Sequence, residues 1–270
     1  MPRNRRHLVA ALALALGAVS GLAACGDDDE TTTATTAVAE GDQGGTGEDA
    51  TAGSEAFCDG YVDATLQLNG EPDPEVLTAA VDAVDANAPS DLADPARVLT
   101  DAVRDVLASG GQDFSSFETP EFTAAKTEVD GYTFAECRFD AAISVEGADY
   151  SFTGLPDDVP AGRVEVMLSN EGSEAHEIVL ARRNDGVTES FADLLALPEE
   201  EAMSKVTMVG GTFAPVNGSS SLLVADLEPG DYIAVCFVPV GTMMTDDGPT
   251  EGEGAPHLAH GMQQEFTVTG

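Results

Sequence analysis

The sequence predicts an α+β protein with more than one folded unit: a small N-terminal helical bundle followed by an all-β sandwich. Three observations predict it. Apolar residues recur at helical spacing between Ala56 and Phe139 and alternate after Phe139. Asp-Pro and Thr-Pro pairs open the helical segments, as an N-cap followed by proline does. Gly, Pro, Asn and Asp bound the later apolar runs at intervals suited to short strands.

Residues 1–24 read as a signal peptide: MPRNRR supplies the charge, Leu8 to Ala24 the apolar core, and GDDDE follows at once after Cys25. Leu22-Ala23-Ala24-Cys25 resembles the lipobox of bacterial lipoproteins. The resemblance implies cleavage before Cys25 and lipid on that cysteine, which would anchor the chain to the extracytoplasmic face of the cell membrane. Arg3, Arg5 and Arg6 would leave with the signal, taking the formal net charge from −38 to −41. Such a surface repels nucleic acid and anionic headgroups, keeps the chain soluble and favours cationic partners. Residues 25–54 are Thr, Ala, Gly, Asp and Glu with almost nothing large and apolar, which predicts a disordered acidic tether.

Residues 55–139 form the helical domain. Asp73-Pro74 and Asp94-Pro95 start two helices with stripes at Val76, Leu77, Ala80, Val81 and Val84, and at Val98, Leu99, Ala102, Val103 and Val106. Gly110-Gly111 stops the second, and Thr119-Pro120-Glu121 starts a shorter one ending near Gly131. Cys58 and Cys137 stand at the two ends of this unit. In an exported chain they are expected to pair, a loop closure that stabilises by roughly 4–5 kcal/mol.

Residues 140–270 give short alternating runs, among them AAISVEG, GRVEVMLSN, AHEIVLAR, SSLLVADLEPG, DYIAVCFVP and EFTVTG, expected to form an antiparallel sandwich. One helical interruption, Phe191 to Lys205, would lay Leu194, Leu195 and Met203 over an end of the sheets. In DYIAVCFV, Tyr232, Ala234, Cys236 and Val238 share one face and Ile233, Val235 and Phe237 the other, so the strand should be buried on both sides.

With lipid on Cys25 and a Cys58–Cys137 bridge, Cys236 is the one unclaimed thiol of four cysteines. His176 opens the strand after the turn Ser169-Asn170-Glu171-Gly172, and PHLAHGM precedes the last strand, so these residues can meet where loops cluster at one end of the sandwich. The ordered set Asn170-x-G-x-x-x-His176-Glu177, Glu228-Pro229-Gly230-x-Tyr232-x-x-x-Cys236-x-x-Pro239 and His257-x-x-x-Gly261-Met262 resembles the cupredoxin family, in particular its sulfocyanin-like and plastocyanin-like members. The resemblance covers about residues 140–270 and implies a Greek-key sandwich. It further implies one copper ion, cycling between Cu(I) and Cu(II), bound by His176, Cys236 and His257 in a plane with Met262 as a long axial ligand. A thiolate, two imidazoles and a weak thioether suit both oxidation states. The reading implied is a non-enzymatic one-electron carrier or copper holder, with a basic redox protein as partner.

The chain departs from the family pattern in one place: twenty residues, Phe237 to Pro256, separate the cysteine from the second histidine, where the family has a tight loop. Their glycines and acids read as an exposed flap or disordered bulge. Met243 and Met244 would be apolar anchors in it, or a soft entry point for Cu(I). His260 stands as the alternative to His257. Zinc is the rival metal, with Glu177 as the one nearby base, although alternation turns Glu177 away from His176. Cys236 as an inert buried thiol in a metal-free interaction domain is the rival of another class. No Ser-His-Asp order, phosphate loop or HExxH pattern supports an enzyme.

Overall fold

The computed structural model describes residues 47–70, 72–245 and 248–270. The expected signal segment 1–24, the lipid-bearing Cys25 and the tether as far as residue 46 lie outside the described residues. No described helix is long and apolar enough to cross a membrane.

Four helices build the first unit: α1 (Gly47–Asn69), α2 (Pro74–Asn87), α3 (Ala93–Ala108) and α4 (Pro120–Glu136), with a 3-10 turn at Ser115–Glu118. The first starts inside the expected tether, eight residues ahead of residue 55. Asp73 caps α2 as read from the sequence, accepting the N–H groups of Glu75 and Val76. Asp94 does not cap α3, which begins one residue earlier. Helix α4 runs through Gly131 to Glu136: glycine weakens a helix without ending it, and the break falls at the extended Cys137. Cys137 is bridged to Cys58, and Phe57, Val84, Ala96, Leu99 and Val129 pack in the bundle core.

Eleven strands follow: β1 (Ala141–Ala148), β2 (Ser151–Thr153), β3 (Asp158–Pro160), β4 (Gly162–Asn170), β5 (His176–Arg183), β6 (Val206–Ala214), β7 (Ser220–Leu227), β8 (Gly230–Val235), β9 (Met243–Thr245), β10 (Gly248–Thr250) and β11 (Gln263–Thr269). They form one sheet in the order β2-β1-β4-β7, a second in the order β3-β11-β8-β5-β6, and a β9-β10 ribbon. The sandwich is not wholly antiparallel. Strands β1 and β4 pair in parallel, as do β3 and β11, because the chain crosses to the second sheet at β3 and returns at β4. Between the sheets, Val145, Val164, Leu168, Ile178, Leu180, Leu223, Tyr232 and Phe266 make the main core.

The helical interruption divides at Pro198 into α5 (Phe191–Leu195) and α6 (Glu199–Met203). Phe191 and Leu194 cover Val179, Ile233 and Val235 on the outer face of the second sheet, whereas Leu195 and Met203 point to solvent. The bundle covers the outer face of the first sheet. Val62 packs on Leu222 and Val224, and the buried Asp130 accepts from Tyr61 Oη (2.6 Å), from Lys126 Nζ and from the Leu222 N–H of β7 (3.1 Å).

Candidate metal centre

The residues that converge are carried by elements adjoining in the second sheet. Strands β5 and β8 pair antiparallel, with Val179 opposite Val235, so His176 at the start of β5 and Cys236 just past the end of β8 lie at the same end. The chain then leaves and comes back: the His257 N–H donates to Val238 O (2.9 Å) and the Leu258 N–H to Cys236 O (2.9 Å). A 3-10 turn at His257–His260 closes on Gly261, whose φ of 110° favours glycine, and Met262 is bonded by its backbone to both His257 O and the Cys236 N–H. His176, Cys236, His257 and Met262 are all fully buried.

The ligand atoms of His176, Cys236 and His257 lie within 4.8 Å of one another. Nδ1 of His176 is 3.2 Å from Nδ1 of His257, which is 3.4 Å from the Cys236 sulfur. Met262 joins this wall: its methyl group and the His176 β-carbon both border Gly147. His260 is exposed and lies against Tyr150, so of the two candidates it is His257 that the fold brings to His176 and Cys236.

Two carboxylates fix the imidazoles from behind. His176 Nε2 is 3.1 Å from Asp149 Oδ1, and His257 Nε2 is 3.0 Å from Glu174 Oε2. Burial pulls the Asp149 carboxyl upward, but hydrogen bonds from Ser173 and the Glu174 N–H hold it below the usual range. Glu174 is likewise held low, against its burial, by the Gly241 N–H, His257 and Tyr150. Ionised carboxylates only accept, so each Nε2 donates to its carboxylate and each Nδ1 is turned toward the cluster. Burial, and then the neighbouring His257, push His176 toward its neutral form. Burial also drives the Cys236 thiol up to about 12, so its thiolate needs a cation beside it.

The turn before His176 is shaped for this purpose. Asn170 Nδ2 donates to Glu174 O (2.8 Å) and Ala214 O (2.9 Å), and its Oδ1 accepts the Gly172 N–H. A side chain at Gly172 would collide with His176 Nε2 and Asp149 Oδ1. Glu177 points away, buried, accepting the Phe237 N–H at 2.9 Å, so it offers no base to the cluster.

Residues 237–245 and 248–256 are joined by hydrogen bonds as a hairpin stem and ribbon, and are not the loose flap expected. Pro239 bridges Pro256, Val240 exchanges bonds with Ala255 and Gly254, and the Ala175 N–H donates to Thr242 O. Met243 on β9 is half-exposed. Phe237 is turned outward, so the strand is not covered on both faces to its end.

Sequence reading missed Asp149, Tyr150 and Glu174. Glu174 stands two residues before His176, the one local hint; Asp149 is brought in from the end of β1 across a long separation and leaves no pattern.

No protein-family model matches this chain, and no curated protein does. Solved structures do. Auracyanin from Roseiflexus castenholzii shares 19% identity over 48% of this chain and 98% of its own, with a TM-score of 0.32. Rusticyanin from Thiobacillus ferrooxidans shares 18% over 50% and 85%, with a TM-score of 0.30. Auracyanin A from Chloroflexus aurantiacus, a blue copper protein, shares 16% over 47% and 98%, with a TM-score of 0.27. Likeness at this level says nothing of this chain's chemistry, which rests on the cluster itself.

Proposed function

We propose that this chain is a lipid-anchored, extracytoplasmic copper protein of the cupredoxin type, a one-electron carrier with a mononuclear centre held by His176, Cys236, His257 and Met262. One observation carries the reading. Two buried imidazole nitrogens lie 3.2 Å apart with the buried Cys236 sulfur 3.4 Å from one of them, while each ring's Nε2 is held by a carboxylate. Once the thiol gives up its proton to an incoming cation, these three atoms form a ready-made metal-binding set.

The donor set favours copper. One thiolate and two imidazoles suit zinc as well, but a catalytic zinc needs a base near its open position, and Glu177 is turned away. A buried thioether close to His176 suits a soft ion. Bound copper would supply a couple between Cu(I) and Cu(II). The chain's part is to hold the ligands alike in both states: Asp149 and Glu174 fix both rings, and backbone bonds tie Cys236, His257 and Met262 into one unit. The lipobox ending at Cys25 and the tether after it support anchoring at the membrane, and the net charge of −38 supports a basic redox partner.

Reconstitution with Cu(II) tests this. One copper per chain and an intense visible thiolate-to-copper absorption are expected, both absorption and tight retention being lost in Cys236→Ser. Absence of the band, with copper lost on dialysis, rejects the reading. Reversible voltammetry distinguishes electron transfer from storage.

A further inference from the structure

The seam between the helical bundle and the sandwich holds a cavity of about 330 Å³. That is within the range of small-molecule sites, about 300–1,000 Å³. Its wall is apolar and partly aromatic. Leu68, Val103, Phe117, Phe122 and Phe213 line it, and Phe117 meets Phe122 edge to face at 4.8 Å.

Against this wall stands a linked polar group. Lys126 Nζ donates to Asp130 and to Ser221 Oγ (3.1 Å), and Thr212 Oγ1 donates to the same Ser221 oxygen at 2.7 Å. All three of Lys126, Ser221 and Thr212 line the cavity. An ammonium has three hydrogens, and among the described residues only two are used. Ser221 accepts twice, and among the described residues its own hydrogen has no acceptor. Ser221 is 5% exposed and Asp130 2% exposed, while the Lys126 side chain is 32% exposed, so the anchors of this group are buried and its ammonium is partly open. Two donors remain unspent, and they select an acceptor. Asp130 already neutralises Lys126, and the chain as a whole is strongly negative, so the pocket offers no net positive charge to an anion.

We infer that this cavity is a binding site for a neutral ring compound bearing one carbonyl, the ring lying against the phenylalanines and the carbonyl oxygen accepting from Lys126 and Ser221. The site is separate from the metal cluster and does not depend on it.

Calorimetric titration of the full chain with 1-tetralone, tetralin and 1-naphthoate tests the assignment: a ketone, its carbonyl-free counterpart and an anion of similar size. One tetralone per chain is expected, bound about tenfold more tightly than tetralin, as one charge-assisted hydrogen bond gives. Naphthoate should bind more weakly than tetralone. Ser221→Ala should lower the ketone-to-hydrocarbon ratio, the Lys126 bond remaining, while leaving tetralin unchanged. Thr123→Trp, at an exposed position on the cavity wall, should abolish binding of both without burying a polar group. The proposal is overturned if tetralone shows no saturable binding, if tetralin or naphthoate binds as tightly, or if Thr123→Trp leaves tetralone binding intact. Should Ser221→Ala not fold, the ligand series and Thr123→Trp still decide.

Discussion

Glu174 joins three things that the sequence keeps apart. Its carboxylate meets His257 Nε2, the Gly241 N–H at 2.6 Å and the Tyr150 hydroxyl at 3.1 Å. It therefore sets the tautomer of one ligand and pins the hairpin to it. A fixed negative charge beside an imidazole ligand favours the more positive metal state. In the copper-loaded protein, Glu174→Gln keeps the size and an acceptor but removes the charge, so the reduction potential should rise by roughly 50–100 mV, at about 59 mV per tenfold change in equilibrium for one electron. Voltammetry measures it, and an unchanged or lowered potential would deny Glu174 this role. A second acid acts on the fold alone. Glu165 on β4 is buried with one carboxylate oxygen lacking any partner among the described residues, and burial pushes its pKa up to about 8 from an ordinary 4.5. Between those values the folded chain keeps a proton that the unfolded chain has released, so stability falls as pH rises through the window. Glu165→Gln should then be more stable than the parent at pH 8.5 by a few kcal/mol, since each pH unit of that window costs the parent about 1.4 kcal/mol. The gap should close below pH 4.5. Urea denaturation at both pH values checks this, and a gap that does not vary with pH counts against it.

At the scale of the element, the hairpin between Cys236 and His257 separates into a stem and a tip. The stem holds the site: Val238 and Cys236 carbonyls bind the returning chain, and Thr242 O receives the Ala175 N–H next to His176. The tip, β9 and β10, pairs only with itself among the described residues. Replacing Met243–Thr250 with two glycines should leave copper affinity and the absorption band within a few-fold of the parent, measured by competition with a chelator. A large loss would mean that the tip contributes to binding, as a methionine entry site would require. The stem also marks the limit of what is legible. Alternation places Cys236 on the inner face with Tyr232 and Ala234, the Asp73 cap is written in the chain, and the cluster of His176, Cys236 and His257 can be named from its order. The stem reads as a loose flap because most of its bonds join main-chain groups at Val240, Thr242 and Gly254, and the one side chain that helps, Thr242 Oγ1 accepting the Gly252 N–H, leaves no pattern in the sequence. The parallel pairing of β1 with β4 is hidden for a related reason: period-two alternation fixes a strand's faces and not its neighbour's direction. Asp149 and Glu174 escape sequence reading because each acts through a contact made by folding.

At the scale of the molecule, the helical unit and the metal cluster occupy different parts of the sandwich. The cluster sits at one end, between the sheets; the bundle covers the outside of the first sheet, where Leu222 and Val224 are 4% and 0% exposed beneath Val62 and its neighbours. The seam is also pinned by Asp130, which takes the Leu222 N–H. A sheet face of this kind left bare is a patch that promotes association. Residues 140–270 made alone should therefore keep the copper band, because every ligand and both supporting carboxylates are present, yet aggregate and melt at lower temperature. Each fully buried Leu or Val contributes about 1.5–3 kcal/mol, and the shortened chain loses that cover. Leu222→Lys with Val224→Lys turns the comparison into a test of cause. In the short chain the pair should restore solubility. In the full chain the same pair buries two charges under the bundle and should open the seam, lowering the melting temperature. If the short chain is as soluble and stable as the full one, or if the double substitution acts in the same direction in both, the bundle is not the cover of this sheet.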